Sequence, residues 1–254
     1  MQGTFKQTAI RAAKAAGGIL LKYYGRKITK RLKDGDSYVS QADIESIKKI
    51  RQIILSKFPT HNMLDEELAQ IKNNSEYTWI IDPLDGTHNF LIENPLFGVS
   101  IALQHKDEII LGVVYLPCLD RMYIAEKGKG AFRNGKRINV NKNDRLDKSM
   151  FTFDARFRHD TDKKLRIMGK LAHKAWRYRV FGVAVYDTLL VAEGRTEMHI
   201  DFDVNVWDYA AVYLILLESG GIVTDLLGNP WKPGTKDFMA SNGRVHAEAL
   251  NVIK

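Results

Sequence analysis

Residues 79–90 read Trp-Ile-Ile-Asp-Pro-Leu-Asp-Gly-Thr-His-Asn-Phe, and this stretch constrains the fold more tightly than any other. Residues 78–81 are apolar or β-favouring and read as a buried strand. That puts Asp82 at the strand's carboxyl end, where open α/β sheets place ligands. Pro83 fixes its own φ and pushes Asp82 into an extended conformation, so the chain is expected to turn there. Such a turn can aim the Asp82 and Asp85 carboxylates and the Leu84 carbonyl into one small volume. Three hard oxygen donors without histidine or thiolate suit Mg²⁺ better than zinc. Gly86 admits close backbone approach, and a helix starting at Thr87 would offer free N–H groups to a phosphate. The same pattern fits an Asx-type turn and an N-cap with solvated aspartates, so the rest of the chain must decide.

The chain has 254 residues, enough for a full core as one large domain or two tightly joined halves. Its longest apolar stretch, residues 109–116, is far too short to span a bilayer, so no membrane partner is expected. Cys118 is the only cysteine, which excludes an internal disulfide and a cysteine-rich zinc site and fits a reducing cytoplasm. The net charge of +8 is compatible with nucleic acid, a membrane surface or anionic small molecules. Only Arg26, Lys27, Lys30, Arg31 and Lys33 form a dense basic cluster, and Asp34-Gly35 after it reads as a turn, so a solvated loop or hairpin is expected. No acidic residue precedes Asp34, a superficial likeness to a transit peptide. Ile10, Ala13, Gly17, Leu20 and Tyr24 fall at helical spacing, however, and this segment reads as the first helix of the fold.

A second helix is expected over residues 43–58, with Ser40 and Asp43 as cap candidates and Pro59 as its stop. Strand-like runs at 97–104, 108–115 and 121–126 suggest an antiparallel meander, and Asn134-Gly135 is a hairpin signal. Gly130 to Lys136 nearly spells a phosphate-binding P-loop, but Arg137 stands where Ser or Thr is needed and no strand-loop-helix context surrounds it. The polar residues 141–148 divide an N-terminal α+β half (1–145) from a C-terminal α/β half (146–254) of one catalytic unit. In that second half, strands at 150–153, 177–181, 197–200, 222–224 and 238–241 alternate with helices at 163–173, 184–193 and from Trp207-Asp208 to Gly220-Gly221. Asp65-Glu66-Glu67 and Asp208 are individually unremarkable: the first fits a solvent-facing cluster, the second a helix cap.

Taken in order, these residues resemble the inositol monophosphatase family of magnesium-dependent, lithium-sensitive phosphatases. The resemblance rests on Asp82-Pro83-Leu84-Asp85-Gly86-Thr87 with Asn89-Phe90, Glu66-Glu67 before it, Val39-Ser40-Gln41-Ala42-Asp43, and Trp207-Asp208-Tyr209-Ala210-Ala211. It implies a layered α-β-α-β-α sandwich like that of fructose bisphosphatase, usually a homodimer. It also implies two or three Mg²⁺ ions per site. Glu66, Asp82 and the Leu84 carbonyl would hold one, Asp82, Asp85 and Asp208 a second, and a looser third would sit near Glu66. Thr87 paired with Asp43, together with Glu66, would activate water. Gly86, Thr87 and His88 would hold the phosphate, while Gly182, Ala184, Asp201 and Asp208 would face the substrate's organic part.

Paired divalent ions make physical sense of this clustering, because a phosphate monoester dianion repels anionic nucleophiles and gathered carboxylates repel one another. The implied activity is hydrolysis of a small sugar or polyol phosphate, with myo-inositol 1-phosphate the leading substrate. Fructose 1,6-bisphosphate, 3′-phosphoadenosine 5′-phosphate and histidinol phosphate are alternatives. The substrate-reading positions depart from the family: Asp201 replaces a glutamate, Gly182-Val183-Ala184 lacks a hydroxyl, Asp65 replaces a glycine, and His88 replaces a common threonine. Asp154-Ala155-Arg156, with Arg158 nearby, stands where a Gly-Ser pair is common, and arginines there could meet a second phosphate or be solvated. A non-catalytic basic protein binding nucleic acid through residues 26–33 is the alternative from another class.

Overall fold

A computed structural model describes residues 2–33 and 38–254. The expected turn at Asp34-Gly35 lies outside the described residues. The chain begins with α1 (Gln2–Tyr23), whose Ala9, Ala12, Ala13, Ala16 and Leu20 form one buried stripe. These small residues let the helix lie close to the sheet beneath: a Cβ added at Gly17 would stand 2.6 Å from the Tyr115 ring. Lys30 and Arg31 of the basic cluster lie in β1 (Lys30–Leu32), which pairs antiparallel with β2 (Tyr38–Ser40). A capping box then starts α2 (Gln41–Leu55): Asp43 Oδ2 accepts from the Ser40 backbone N–H at 2.8 Å, and Ser40 Oγ accepts from the Ala42 N–H at 3.2 Å.

Next come β3 (Asn62–Asp65), β4 (Tyr77–Asp85), the short α3 (Thr87–Leu91), β5 (Gly98–His105), β6 (Glu108–Leu116), β7 (Arg121–Glu126), β8 (Ala131–Arg133) and β9 (Lys136–Ile138). Among the described residues these strands form a seven-stranded sheet in sequence order, antiparallel throughout except for the β3–β4 pair. Asn134 and Gly135, both at positive φ, make the expected tight turn between β8 and β9. No helix follows that turn, so the P-loop-like spacing is incidental.

One expectation fails here. The chain does not leave the sheet at Asp82; β4 runs on through Pro83 to Asp85. Asp82 opposes Ser100 and Asp85 opposes Gly98, so β4 advances three residues while β5 advances two. The extra residue is a bulge, which re-aims side chains without ending the strand. Proline is tolerated there because the ladder is already interrupted.

The remainder is β10 (Met150–Phe153), α4 (Thr161–Ala172), β11 (Arg177–Arg179), α5 (Ala184–Ala192), β12 (Met198–Asp201), α6 (Val206–Glu218), β13 (Ile222–Thr224), β14 (Phe238–Ser241) and α7 (His246–Ile253). The second sheet has the order β11-β10-β12-β14-β13, parallel across β11, β10 and β12 and antiparallel beyond. α1 and α2 cover one face of the large sheet, and α5 and α6 fill the space between the two sheets. α4 and α7 pack together on the far side of the second sheet. The result is the expected α-β-α-β-α sandwich. α6 is apolar nearly all round, as a helix buried between two sheets must be. It approaches β6 so closely that a Cβ on Gly112 would collide with the Ala211 carbonyl.

Candidate active site

The bulged end of β4 faces the N-termini of α5 and α6, and most of the acids singled out in the sequence meet there. Asp82 is buried, and its Oδ1 accepts from the Leu84 N–H at 2.9 Å. Asp85 Oδ2 accepts from the Val185 N–H at 2.7 Å, which ties β4 to the first turn of α5. Gly86 sits at positive φ, and a Cβ there would lie 2.9 Å from Val183, so this close approach requires glycine. Asp208 caps α6, its Oδ2 accepting from the Asn205 N–H at 3.3 Å. The capping role proposed for Asp208 alone is therefore real, and it also places the carboxylate opposite Asp85 and Glu66.

The electrostatics identify these acids as one group. Burial first, then Glu66, Asp85 and Asp208, raise the Asp82 carboxyl well above its ordinary range. Burial, followed by Asp85 and Glu66, does the same to Asp208. Asp85 is pushed up to about 7, mainly by burial and then by Glu66 and Asp201 against the opposing Val185 hydrogen bond. Asp43 is fully buried and raised to about 6, again mainly by burial; its Oδ1 has no hydrogen-bond partner. Glu67 is raised to about 7 by burial, with Lys33 opposing and Glu66 adding. Carboxylates held like this are poised for a cation.

Lys33 supplies one positive charge: its Nζ lies 2.7 Å from Glu66 Oε1 and also contacts Glu67. Among the described residues no three His, Cys, Asp or Glu side chains are drawn in closely enough to ligate one ion, a spread that mutual repulsion favours. The donor set is nonetheless all oxygen, the Leu84 carbonyl included, and suits a hard divalent cation.

Thr87 lies at the start of α3, and its hydroxyl donates to the Leu84 carbonyl at 3.0 Å. The expected Thr87–Asp43 pair is not made, because Asp43 Oδ2 is engaged by Ser40 while Oδ1 has no partner. His88 is exposed, with its ring edge on Tyr38. Gly182 adopts positive φ, and a Cβ there would meet Ala155 at 3.3 Å, so the 154–156 segment borders the site beside Ala184.

Asp201, which the resemblance sets facing the substrate's organic part, is already engaged by the protein. It is buried; its Oδ1 accepts from the Phe202 N–H at 2.7 Å and from Arg156 Nη2 at 3.2 Å, and its Oδ2 accepts from the Tyr209 hydroxyl. Three of roughly four acceptor positions are thus taken by the protein. Since the Tyr209 proton goes to Asp201, His199 must donate through Nε2 to the Tyr209 oxygen at 3.2 Å and accept at Nδ1 from Thr152 at 2.9 Å. Burial lowers His199 to about 4 and keeps it neutral.

Sequence reasoning missed Lys164. Its side chain is fully buried, and Nζ donates to Asp154 Oδ2 and to the Arg156 carbonyl, both at 2.6 Å. Its only sequence signal is ambiguous, a lysine within the polar run Asp162-Lys163-Lys164 at the start of a helix.

The fold and site define a class, a layered α/β protein with a cleft of gathered carboxylates whose oxygen donors suit a hard divalent cation. The inositol monophosphatase family model matches residues 1–253. A fructose-1,6-bisphosphatase/inositol-1-monophosphatase of Aquifex aeolicus is 37% identical over 96% of this chain and 92% of its own. A histidinol-phosphatase of Chlorobaculum parvum is 36% identical over 87% of this chain and 86% of its own. Among solved structures, the extragenic suppressor protein suhB of Bartonella henselae superposes with a TM-score of 0.96 at 33% identity, covering 99% of this chain and 98% of that one. The chain belongs to the inositol monophosphatase family. It is a phosphoric monoester hydrolase of a family that is generally Mg²⁺-dependent. No described helix is long and apolar enough to cross a membrane. These relatives do not favour the nucleic-acid reading of the basic cluster, and Lys33, its last member, faces the site acids.

Proposed function

We propose that this chain hydrolyses a small sugar or polyol phosphate with Mg²⁺, and that myo-inositol 1-phosphate and fructose 1,6-bisphosphate head the substrates to test. The observation that carries this is the convergence of Asp82, Asp85, Asp208 and Glu66, three of them held above their ordinary pKa range, beside Gly86 and Thr87. Glu66, Asp82 and the Leu84 carbonyl would hold one ion, Asp82, Asp85 and Asp208 a second, and Glu66 would border a third. When bound, the ions neutralise the phosphate dianion, acidify water and stabilise the leaving oxygen.

The chain's own groups do the orienting. Because the Thr87 hydroxyl donates its proton to Leu84, its lone pairs remain free to accept from a water beside the phosphate. Asp43, with an unpartnered buried oxygen and a carboxyl raised to about 6, can receive a proton near neutral pH. The backbone N–H groups of Gly86 and Thr87 are suited to phosphate oxygens.

We also infer a homodimer. Edge strand β11 leaves Trp176, Tyr178 and Val180 exposed, an apolar rim that a second subunit would cover. A cytoplasmic location fits the single, unpaired Cys118.

The test is phosphate release from inositol 1-phosphate, fructose 1,6-bisphosphate, 3′-phosphoadenosine 5′-phosphate and histidinol phosphate, with Mg²⁺ and with chelator. Mg²⁺-dependent release from at least one is expected. Release from none, or release indifferent to chelation, overturns the proposal.

A further inference from the structure

Asp154, Arg156, Lys164 and Asp201 form a second charged cluster that borders the acid site but differs from it in kind. Arg156 is fixed along its whole length. Its N–H donates to Asp154 Oδ1 at 2.6 Å, and its carbonyl accepts from Lys164 at 2.6 Å. Its Nε lies 3.5 Å from Asp154, and its Nη2 donates to Asp201 and, at 2.6 Å, to the Phe202 carbonyl. Yet 46% of the side chain remains exposed, and Nη1 has no partner among the described residues. A fully buried lysine behind it balances Asp154, so Arg156 is paired chiefly with Asp201 and keeps an N–H edge that this pairing does not use. The cluster pairs two cations with two anions, and one cation still presents an open edge.

Arg156 borders the acid site. Asp201 ends β12 and Asp208 lies in the first turn of α6, and Arg156 is bonded to the first and acts electrostatically on the second. Ala155 lies against Gly182, at the loop leading into α5, whose Val185 N–H holds Asp85. A substrate whose reacting phosphate meets Asp82, Asp85 and Asp208 would turn its other end toward this wall. A neutral polyol would find Asp201 largely occupied. An anionic group would find a rigid guanidinium with free N–H donors, the geometry that suits phosphate oxygens.

We infer that Arg156 is a specificity-determining residue whose open edge binds a second phosphate on the substrate, so that the enzyme prefers bisphosphates to monophosphates of the same ring. This rests on the phosphomonoesterase reading given above. Because the arginine is held in place before substrate arrives, little side-chain freedom is lost on binding. A charge-assisted contact of this kind changes affinity by about tenfold to a hundredfold.

The experiment compares fructose 1,6-bisphosphate with fructose 1-phosphate, which differ only in the second phosphate, using the full chain with Mg²⁺ and p-nitrophenyl phosphate as a general substrate. The wild type is expected to favour the bisphosphate in kcat/KM by about tenfold or more, mainly through KM. Arg156→Gln, which keeps a donor for the Phe202 carbonyl, should abolish most of that ratio, and Arg156→Lys should restore part of it. Thermal melts verify that both variants are folded. If the wild type shows no preference, or if Arg156→Gln lowers both sugar phosphates equally, Arg156 is structural and the inference fails while the phosphatase reading stands. If the wild type hydrolyses none of the three compounds but releases phosphate from inositol 1-phosphate, the inference fails alone; if it releases phosphate from none of these, the phosphatase reading fails and takes the inference with it.

Discussion

Two clusters of buried charge lie side by side in this molecule and are balanced in opposite ways. Around Asp82 the carboxylates outnumber the cations: among the described residues, Asp82, Asp85, Asp208, Asp43, Glu66 and Glu67 are set against Lys33 and, at Asp208, the field of Arg156. Around Asp154 the chain supplies its own counter-charges, with Lys164 and Arg156 set against Asp154 and Asp201. In the first cluster Asp82, Asp85, Asp208, Asp43 and Glu67 are all raised, because a folded chain that buries like charges must neutralise them with protons or imported ions. The second is matched charge for charge, although burial and then Asp154 still push Asp201 up to about 6. The difference separates chemistry from support: an incomplete cluster can recruit cations and substrate, while a complete one holds a shape and offers only the edge its own pairing leaves open.

Substitution at the centre of the incomplete cluster gives the largest expected effect. Asp85→Asn should lower Mg²⁺-dependent phosphate release by more than about a hundredfold, since even groups one step removed from a metal cost ten- to a hundredfold. The same change removes one repelling charge, so the metal-free protein should melt no lower than wild type. Near-normal turnover would show that Asp85 stands outside the machinery. A large loss of metal-free stability would show that the acids are not in conflict.

The complete cluster should respond in the opposite way. Lys164→Met leaves Asp154 buried beside only the more distant Arg156, a loss of about 3–5 kcal/mol for breaking a buried pair. For a chain of this size that lowers Tm by roughly 10 °C. A melt within about 2 °C of wild type would mean that Lys164 is not buried in solution or that Asp154 takes up a proton without cost.

The incomplete cluster also predicts a pH dependence. Asp85 and Asp43 rise from an ordinary 3.8 to about 7 and about 6 in the fold. The metal-free fold therefore binds more protons than the unfolded chain across this interval, and stability is lost as pH rises from about 4 through about 7. Mg²⁺ should repair that loss, so its stabilising shift in Tm should be several degrees larger at pH 8 than at pH 5. His199 and His246, lowered from 6.5 to about 4, act in the other direction, destabilising the fold as pH falls below 6.5. Neither histidine hydrogen-bonds a carboxylate proposed to hold an ion, so their contribution is expected to cancel in the difference with and without Mg²⁺. A shift of equal size at both pH values would break the assignment of a cation to these acids.

How much of this was legible in the chain depends on whether a signal is local. The Ser40–Asp43 capping box, the Asn134-Gly135 turn and the glycine at position 86 depend on near neighbours in sequence, and each lies where its residue type implies. The continuation of β4 past Pro83 was not legible, because it depends on β5 opposing Ser100 and Gly98 across a bulge. Lys164 reads as a solvated helix residue until Asp154 is known to lie beneath it. Asp201 resembles a substrate acceptor until Arg156 and Tyr209 are found on its oxygens. Residue type set the chemistry of each site, but the pairing of charges is tertiary.

Lys33 is where the two kinds of cluster could be made to converge, and it gives the smallest expected effect. Its two ion pairs, with Glu66 and with Glu67, are those that the acid site makes for itself among the described residues, and both the lysine and Glu66 keep about a fifth of their side-chain surface exposed, at 21% and 23%. Solvent screening limits what such a pair contributes, so Lys33→Met should lower metal-free stability by less than about 1 kcal/mol. The same lysine competes with a divalent ion for Glu66. Removing it should reduce the Mg²⁺ concentration that half-saturates activity by roughly threefold, the equivalent of a sub-kcal/mol contact released. If half-saturation instead rises, Lys33 assists cation binding, and the acid site would have to be regarded as partly complete before the metal arrives.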